Sequence, residues 1–190
     1  MGYLKDDISS VNSAKGKLSS IISELGEVDS KDALELIDWF LEKSKYYKKH
    51  KQKAKFQKLP NKMERGDIIW VNFGINVGDE FSDLGTNGHF AICWSQNGFQ
   101  FVVIPISAEE RHPKKNSFAV NLGQIPGLPS SKDTYAKLDM IRSINIRRIR
   151  RIKNQESGKI SLKELNPELI KYISKKIQEK FIDNLSWQIV

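Results

Sequence analysis

Two runs rich in aromatic and β-branched residues, 90–95 (FAICWS) and 99–106 (FQFVVIPI), are separated only by Gln96, Asn97 and Gly98. So short and turn-prone a break folds the runs back on each other as an antiparallel hairpin. Residues 67–73 have the same character, and residues 117–122 and 137–144 supply two further strand candidates. The intervals 74–88 and 123–134 hold the Gly, Pro, Asp and Ser of loops. The centre of the chain therefore reads as a compact β-barrel or strongly curved sheet.

Both flanks read as helical. Leu18, Ile21, Ile22 and Leu25 recur at helical spacing, as do Ala33, Leu36, Ile37 and Phe40, with Gly26 and the Asp29–Ser30 pair marking a turn and restart. This predicts a helical hairpin whose second helix runs through Tyr46 and Tyr47 until Pro60 and Asn61 break the pattern. Near the other end Asn166 is placed to cap and Pro167 to occupy the first helical position, while Leu165 and Ile170 can form a hydrophobic staple. Ile170, Ile173, Ile177 and Phe181 then form one apolar face to dock on the barrel.

Charge divides the first third of the chain. Residues 1–42 hold 4 basic and 9 acidic residues, whereas residues 43–58 hold 8 lysines, His50 and no acid. The lysine run reads either as a solvated face or linker or as an arm for RNA. The domain expectation is a helical extension over 1–60 with a lysine-rich end, and a barrel with a C-terminal helix over 61–190.

Composition narrows the class. A chain of 190 residues can bury the core of one medium domain, and 39% hydrophobic with 28% charged residues excludes a wholly disordered or collagen-like chain. Its 31 basic against 23 acidic residues leave +8, which favours an anionic partner, most economically nucleic acid. Cys93 is the only cysteine, so neither an intrachain disulfide nor a cysteine-rich zinc site can form, and its neighbours Ala91, Ile92 and Trp94 read as a buried strand. His50, His89 and His112 lack metal-ligand spacing, and phosphate-loop and dinucleotide fingerprints are absent, so no metal and no cofactor is expected. MGYLKDDISS lacks the basic-then-apolar pattern of a signal peptide and no run reaches membrane-spanning length, so a cytoplasmic location is expected.

RGDIIWV at 65–71 resembles the opening strand of the MazF/PemK-like endoribonuclease toxins of type II toxin–antitoxin systems. Gly-Asp-Glu at 78–80, GHFAICWS at 88–95, VVIPIS at 102–107 and KLDMIRSI at 137–144 continue the resemblance in order. It implies an α+β fold built on an SH3-like barrel, a homodimer, metal-independent cleavage of single-stranded RNA, chiefly messenger RNA, and an antitoxin partner. It also implies an arginine at the start of the second strand and a threonine at the end of the third. The matching positions are His89 and Ser107.

Such cleavage needs a base for the 2'-hydroxyl, an acid for the leaving 5'-oxygen and donors for the phosphorane charge. His89 suits proton transfer and stands at a loop-to-strand junction, although a packed or surface histidine is the plain alternative. Ser107 is a candidate for binding phosphate or orienting the attacked group, against a strand-terminal hydrogen bond. Glu80, with Asp79 beside it, is a candidate to position His89 or contact a base. Arg111, His112, Lys114 and Lys115 form a loop able to grip RNA, with His112 a rival acid or base. Arg142 either pins structure or approaches the active face. INIRRIRRIK at 144–153 reads as a short helix from Asn145, with Ile149 and Ile152 on its apolar side and a basic rim for phosphate.

The leading expectation is thus a toxin-like endoribonuclease. The alternatives are a catalytically inactive RNA-binding or regulatory protein, and a protein-targeting toxin on the same barrel.

Overall fold

The computed structural model describes residues 3–76, 82–83, 88–108 and 118–183. β1 (Asp67–Val71), β2 (His89–Asn97) and β3 (Gln100–Ser107) form an antiparallel meander, with Ile69 opposite Ala91 and Ile92 opposite Ile104. Gln96 and Asn97 still pair, with Phe101 and Gln100, so the tight turn falls on Gly98 and Phe99. Gly98 takes φ 57°, which a residue without Cβ reaches at no steric cost. A register shift between Cys93 and Ser95 bends β2.

The remaining strands are β4 (Ala119–Asn121), β5 (Tyr135–Lys137), β6 (Arg142–Asn145), β7 (Ile149–Arg150) and β8 (Ile160–Ser161). β3 pairs with β6 along its first half and with β5 at its end, while β1 pairs with β8 at its start and β7 at its end. Two strands that each change partner along their length curl the eight-stranded antiparallel sheet on itself, as an SH3-like barrel requires. Together with the helices this is the expected α+β architecture.

Side chains alternate across β1 and so serve two cores. Ile68 joins Ile92, Ile104 and Leu138 on one face, and Ile69 and Val71 join Phe73, Phe101 and Ile149 on the other. α3 (Leu162–Leu165) leads into α4 (Pro167–Phe181), which closes the first core by burying Ile173 completely, with Ile170 and Ile177 beside it. Full burial of one such side chain is worth about 2 kcal/mol. Pro167 stands in the first turn as expected, but the side chain of Asn166 makes no capping bond.

Two local readings are corrected. Residues 137–144 are not one strand: the 3-10 turn Leu138–Met140 separates β5 from β6, and the Leu138 N–H donates to Phe118 O at 3.1 Å. The isoleucine-rich stretch is not a helix through Ile152. Asn145 caps only the 3-10 turn Ile146–Arg148, after which Ile149 is buried as a strand residue opposite Val71.

The chain divides into two units, Met1–Lys45 and Tyr46–Val190. In the first, α1 (Ile8–Glu24) starts at Asp7, whose carboxylate accepts from the Ser10 N–H at 3.1 Å, and a 3-10 turn, Leu25–Glu27, leads to α2 (Ser30–Lys51). The helix–turn–helix order is as read, yet no residue of α1 is buried and Leu18 and Ile22 are 59% and 63% exposed. In the second unit the end of the lysine run is anchored. Arg147 donates to Ala54 O at 2.7 Å and lies over the Phe56 ring at 4.5 Å, and Arg151 donates to Leu59 O at 2.9 Å. These arginines therefore hold backbone in place. Among the described residues no helix is long and apolar enough to cross a membrane.

Candidate active site

Adjacent strand ends build the site. His89 opens β2 opposite Val71, and Val71 pairs on its other side with Ile149, so the ends of β2, β1 and β7 lie side by side. Gly88, just before His89, has φ 129°, and a Cβ there would meet Trp70 Nε1 at 2.5 Å and Val71 O at 2.6 Å. Only glycine lets the loop enter β2 this close to the indole.

The loop supplies a buried carboxylate. Asp83 is 4% exposed, and its Oδ1 lies 2.8 Å from His89 Nδ1. Its Oδ2 accepts from the Gly74 N–H at 2.7 Å, and its own N–H donates to Gly74 O at 2.8 Å. The carboxylate oxygen serves as the acceptor of this contact and Nδ1 as its donor, and in that tautomer the lone pair of the ring lies on Nε2. The His89 side chain is 28% exposed, which leaves the ring accessible at the end of the sheet.

Positive charge borders this pair. Burial holds the Arg148 guanidinium below its usual range, and neighbouring Arg142 adds to the depression, while Tyr46 and Asp83 oppose it. Arg148 is thus within electrostatic reach of the carboxylate that holds His89. Its carbonyl accepts from the Asn72 N–H at 2.9 Å, fixing the turn against the end of β1. Arg142 opens β6 opposite Val103, with its guanidinium 5.7 Å from the centre of the Phe73 ring. Tyr46 accepts from Arg150 at 2.7 Å and from Asn72 Nδ2 at 3.4 Å.

Ser107 is half-buried at the end of β3 and pairs with Tyr135. Since Ala91 pairs with Pro105, two further residues along each antiparallel strand bring His89 and Ser107 to the same end of neighbouring strands. The sequence candidates Glu80, Arg111, His112 and Lys114, with Asp79 and Lys115, lie outside the described residues. The carboxylate found on His89 is Asp83, which the sequence reading passed over. An aspartate in a Ser- and Gly-containing loop carries no local mark of that role.

Taken together, a histidine with one nitrogen held by a buried carboxylate and a hydroxyl at the same end of the neighbouring strand can move a proton, with the charge of Arg148 felt at that carboxylate. The model of the PemK-like, MazF-like toxin of type II toxin–antitoxin system matches residues 64–181, more than half of the chain. The chain belongs to this toxin family. The matched segment runs from the entry to β1 through the end of α4, leaving α1, α2 and the lysine run outside it. Among curated proteins no sequence matches the chain. Within the family frame, position 89 holds a histidine where the resemblance implies an arginine.

Proposed function

We propose that this toxin is an endoribonuclease that cuts single-stranded RNA without a metal ion. In this reading His89 Nε2 takes the proton of the 2'-hydroxyl as its oxygen attacks the adjacent phosphorus. The P–O5' bond breaks, the leaving oxygen takes a proton from water while His89 returns its own to solvent, and the products are a 2',3'-cyclic phosphate and a 5'-hydroxyl. Arg148 and Arg142 stabilise the phosphorane charge, and Ser107 orients a phosphate oxygen. Glu80 and the loop of Arg111, His112 and Lys114 complete the proposed contacts with RNA. Asp83 is a positioning residue: it fixes the tautomer that leaves Nε2 able to accept. The observation that carries the reading is the 2.8 Å contact between His89 Nδ1 and the buried Asp83 carboxylate.

Family membership supports an antitoxin partner, and the resemblance supports a homodimer working in the cytoplasm, with residues 1–60 as an appendage to the nuclease domain. The test is incubation of the purified protein with mixed-sequence single-stranded RNA in chelator, with mapping of product ends. Cyclic phosphate ends from the wild type, lost in His89→Ala, support the mechanism. Intact RNA beside folded protein that binds it would shift the reading to a non-cleaving RNA-binding module.

A further inference from the structure

The lysine-rich stretch that precedes the matched family segment is fastened to the barrel at both of its ends. At one end Tyr46, on the last turns of α2, accepts from Arg150 at 2.7 Å and from Asn72 Nδ2 at 3.4 Å. At the other, Phe56 lies under the Arg147 guanidinium at 4.5 Å and against the Phe99 ring with centres 5.2 Å apart, and Gln57 donates to Ile149 O. Both anchors therefore use β7 and the 3-10 turn before it. Val71 lies between Ile149 and His89 in the sheet, so the stretch is held one strand beyond β1 from the candidate base.

Between the anchors, residues 47–56 carry Lys48, Lys49, Lys51, Lys53 and Lys55 with His50 and no acid. All six side chains are exposed, and among the described residues none of these lysines pairs with a carboxylate. Lys48, Lys49 and Lys51 stand in the last turn of α2, where cations offset the helix dipole, and that alone accounts for them. Lys53 and Lys55 lie beyond the helix and gain nothing from it. Lys53 moreover follows the helix end at φ 50°, with its N–H bonded to His50 O and that of Ala54 to Lys49 O. This left-handed position favours glycine or asparagine, so a lysine stands there against the preference of the backbone. A cation kept at such a place points to a use for its charge. Anchoring sharpens that use, because a segment already fixed at both ends loses little conformational freedom when it binds.

We propose that residues 47–55 form a phosphate-binding rail that holds single-stranded RNA as it runs away from the cleavage site. Lysines contact phosphates without reading sequence, so the rail lengthens the footprint and leaves base choice to the barrel. The proposal rests on the endoribonuclease reading for its substrate, but its binding test needs no cleavage. A fluorescein-labelled oligo(U) dodecamer is titrated by anisotropy against the full-length protein carrying His89→Ala, between about 50 and 200 mM salt. Replacing Lys51, Lys53 and Lys55 together by Gln should flatten the salt slope by about 2, at about 0.7 per lost contact, and weaken binding about 100-fold near 0.1 M salt. The same replacement of Lys163, Lys171 and Lys175, which are 69%, 76% and 75% exposed on α3 and α4, removes equal charge elsewhere and should leave slope and affinity near the parent values. Lys53→Gly separates charge from fold: it should hold or raise the melting temperature while weakening RNA binding about 5-fold.

Equal losses from the two triple variants, or no loss from the first, overturn the rail, and Lys53→Gly at full affinity does so too. A labelled polyglutamate of equal charge is the second probe. If it, and not RNA, follows Lys51, Lys53 and Lys55, the stretch is a face for an acidic protein and the proposal fails. In the wild-type background the first triple variant should raise KM and spare kcat. RNA binding that follows the lysines without any cleavage keeps the rail and sinks the nuclease reading; cleavage with binding indifferent to them does the reverse.

Discussion

Asp67 and Asp83 are both buried aspartates, 1% and 4% exposed, and each holds a nitrogen base. Lys159 Nζ lies 2.5 Å from Asp67 Oδ2, and His89 Nδ1 lies 2.8 Å from Asp83 Oδ1. The first pair is closed. Lys159 also donates to Lys62 O at 2.7 Å and is 16% exposed, while Asp67 also accepts from the Glu64 N–H at 2.6 Å. These bonds tie the entry of β1 to the segment before β8 and present nothing further to a ligand. The second pair has the same anchoring on its acidic side, through Gly74, but its base is a ring with a second nitrogen and 28% exposure. In the proposed mechanism a buried carboxylate thus has a structural consequence with one partner and a chemical one with the other, and the exposure and valence of the base decide which.

The largest expected effect separates the two pairs by activity. His89→Ala should lower RNA cleavage by roughly 100-fold or more, the usual range for loss of a general base. Asp83→Asn should approach the same loss, because its amide can donate to Nδ1 and so force the proton onto Nε2. Both should stay folded by circular dichroism. An Nδ1 proton resonance from His89 should be present in the wild type and absent from Asp83→Asn; equal activity in that variant would remove Asp83 from the mechanism.

The closed pair should answer in stability instead. Lys159→Ala leaves the buried Asp67 without its cation and should cost about 3 kcal/mol in denaturant unfolding, with cleavage per folded molecule unchanged. A large loss of turnover with unchanged stability would reverse the assignment of the pairs. Gly88→Ala tests the ground between them. The positive φ and the approach to Trp70 should cost roughly 2 kcal/mol, and turnover should fall as well because the strain sits next to His89.

Both aspartates stood in the sequence without a mark distinguishing them, and the reason is physical. The 90–106 hairpin was legible because turn and alternation are local signals, and α4 because Ile170, Ile173 and Ile177 repeat at helical spacing. His89 was legible as a near-neutral base at a loop-to-strand junction. Its link to Asp83 was not, since it depends on how the loop from Gly74 returns to β2. Ile146, Ile149 and Ile152 mimic a helical period, yet Ile149 is a strand residue because β1 offers it Val71 as a partner. The 3-10 break after Lys137 likewise depends on Phe118, far away in sequence. Local pattern set the elements, and non-local pairing chose the site.

The smallest expected effect uses Cys93 as a gauge of the closed pair. Its thiol is 2% exposed and pushed up to about 11, by burial first and then by the charge of Asp67, with Lys159 pulling the other way. A raised thiol pKa means that the fold favours the protonated form. Its contribution is complete below the reference value of 9.0 and is lost as pH rises toward about 11. Unfolding free energy should therefore fall by about 2 kcal/mol across that window, and Cys93→Ala should flatten the slope. Thiolate absorbance resolves the finer effect: Lys159→Met should raise the thiol midpoint and Asp67→Asn should lower it. Asp83→Asn should leave it unmoved, because the charges that shift Cys93 are those of Asp67 and Lys159. A midpoint that follows Asp83 would mean that the two carboxylates act through one coupled network, and the contrast between a closed and an open pair would have to be given up.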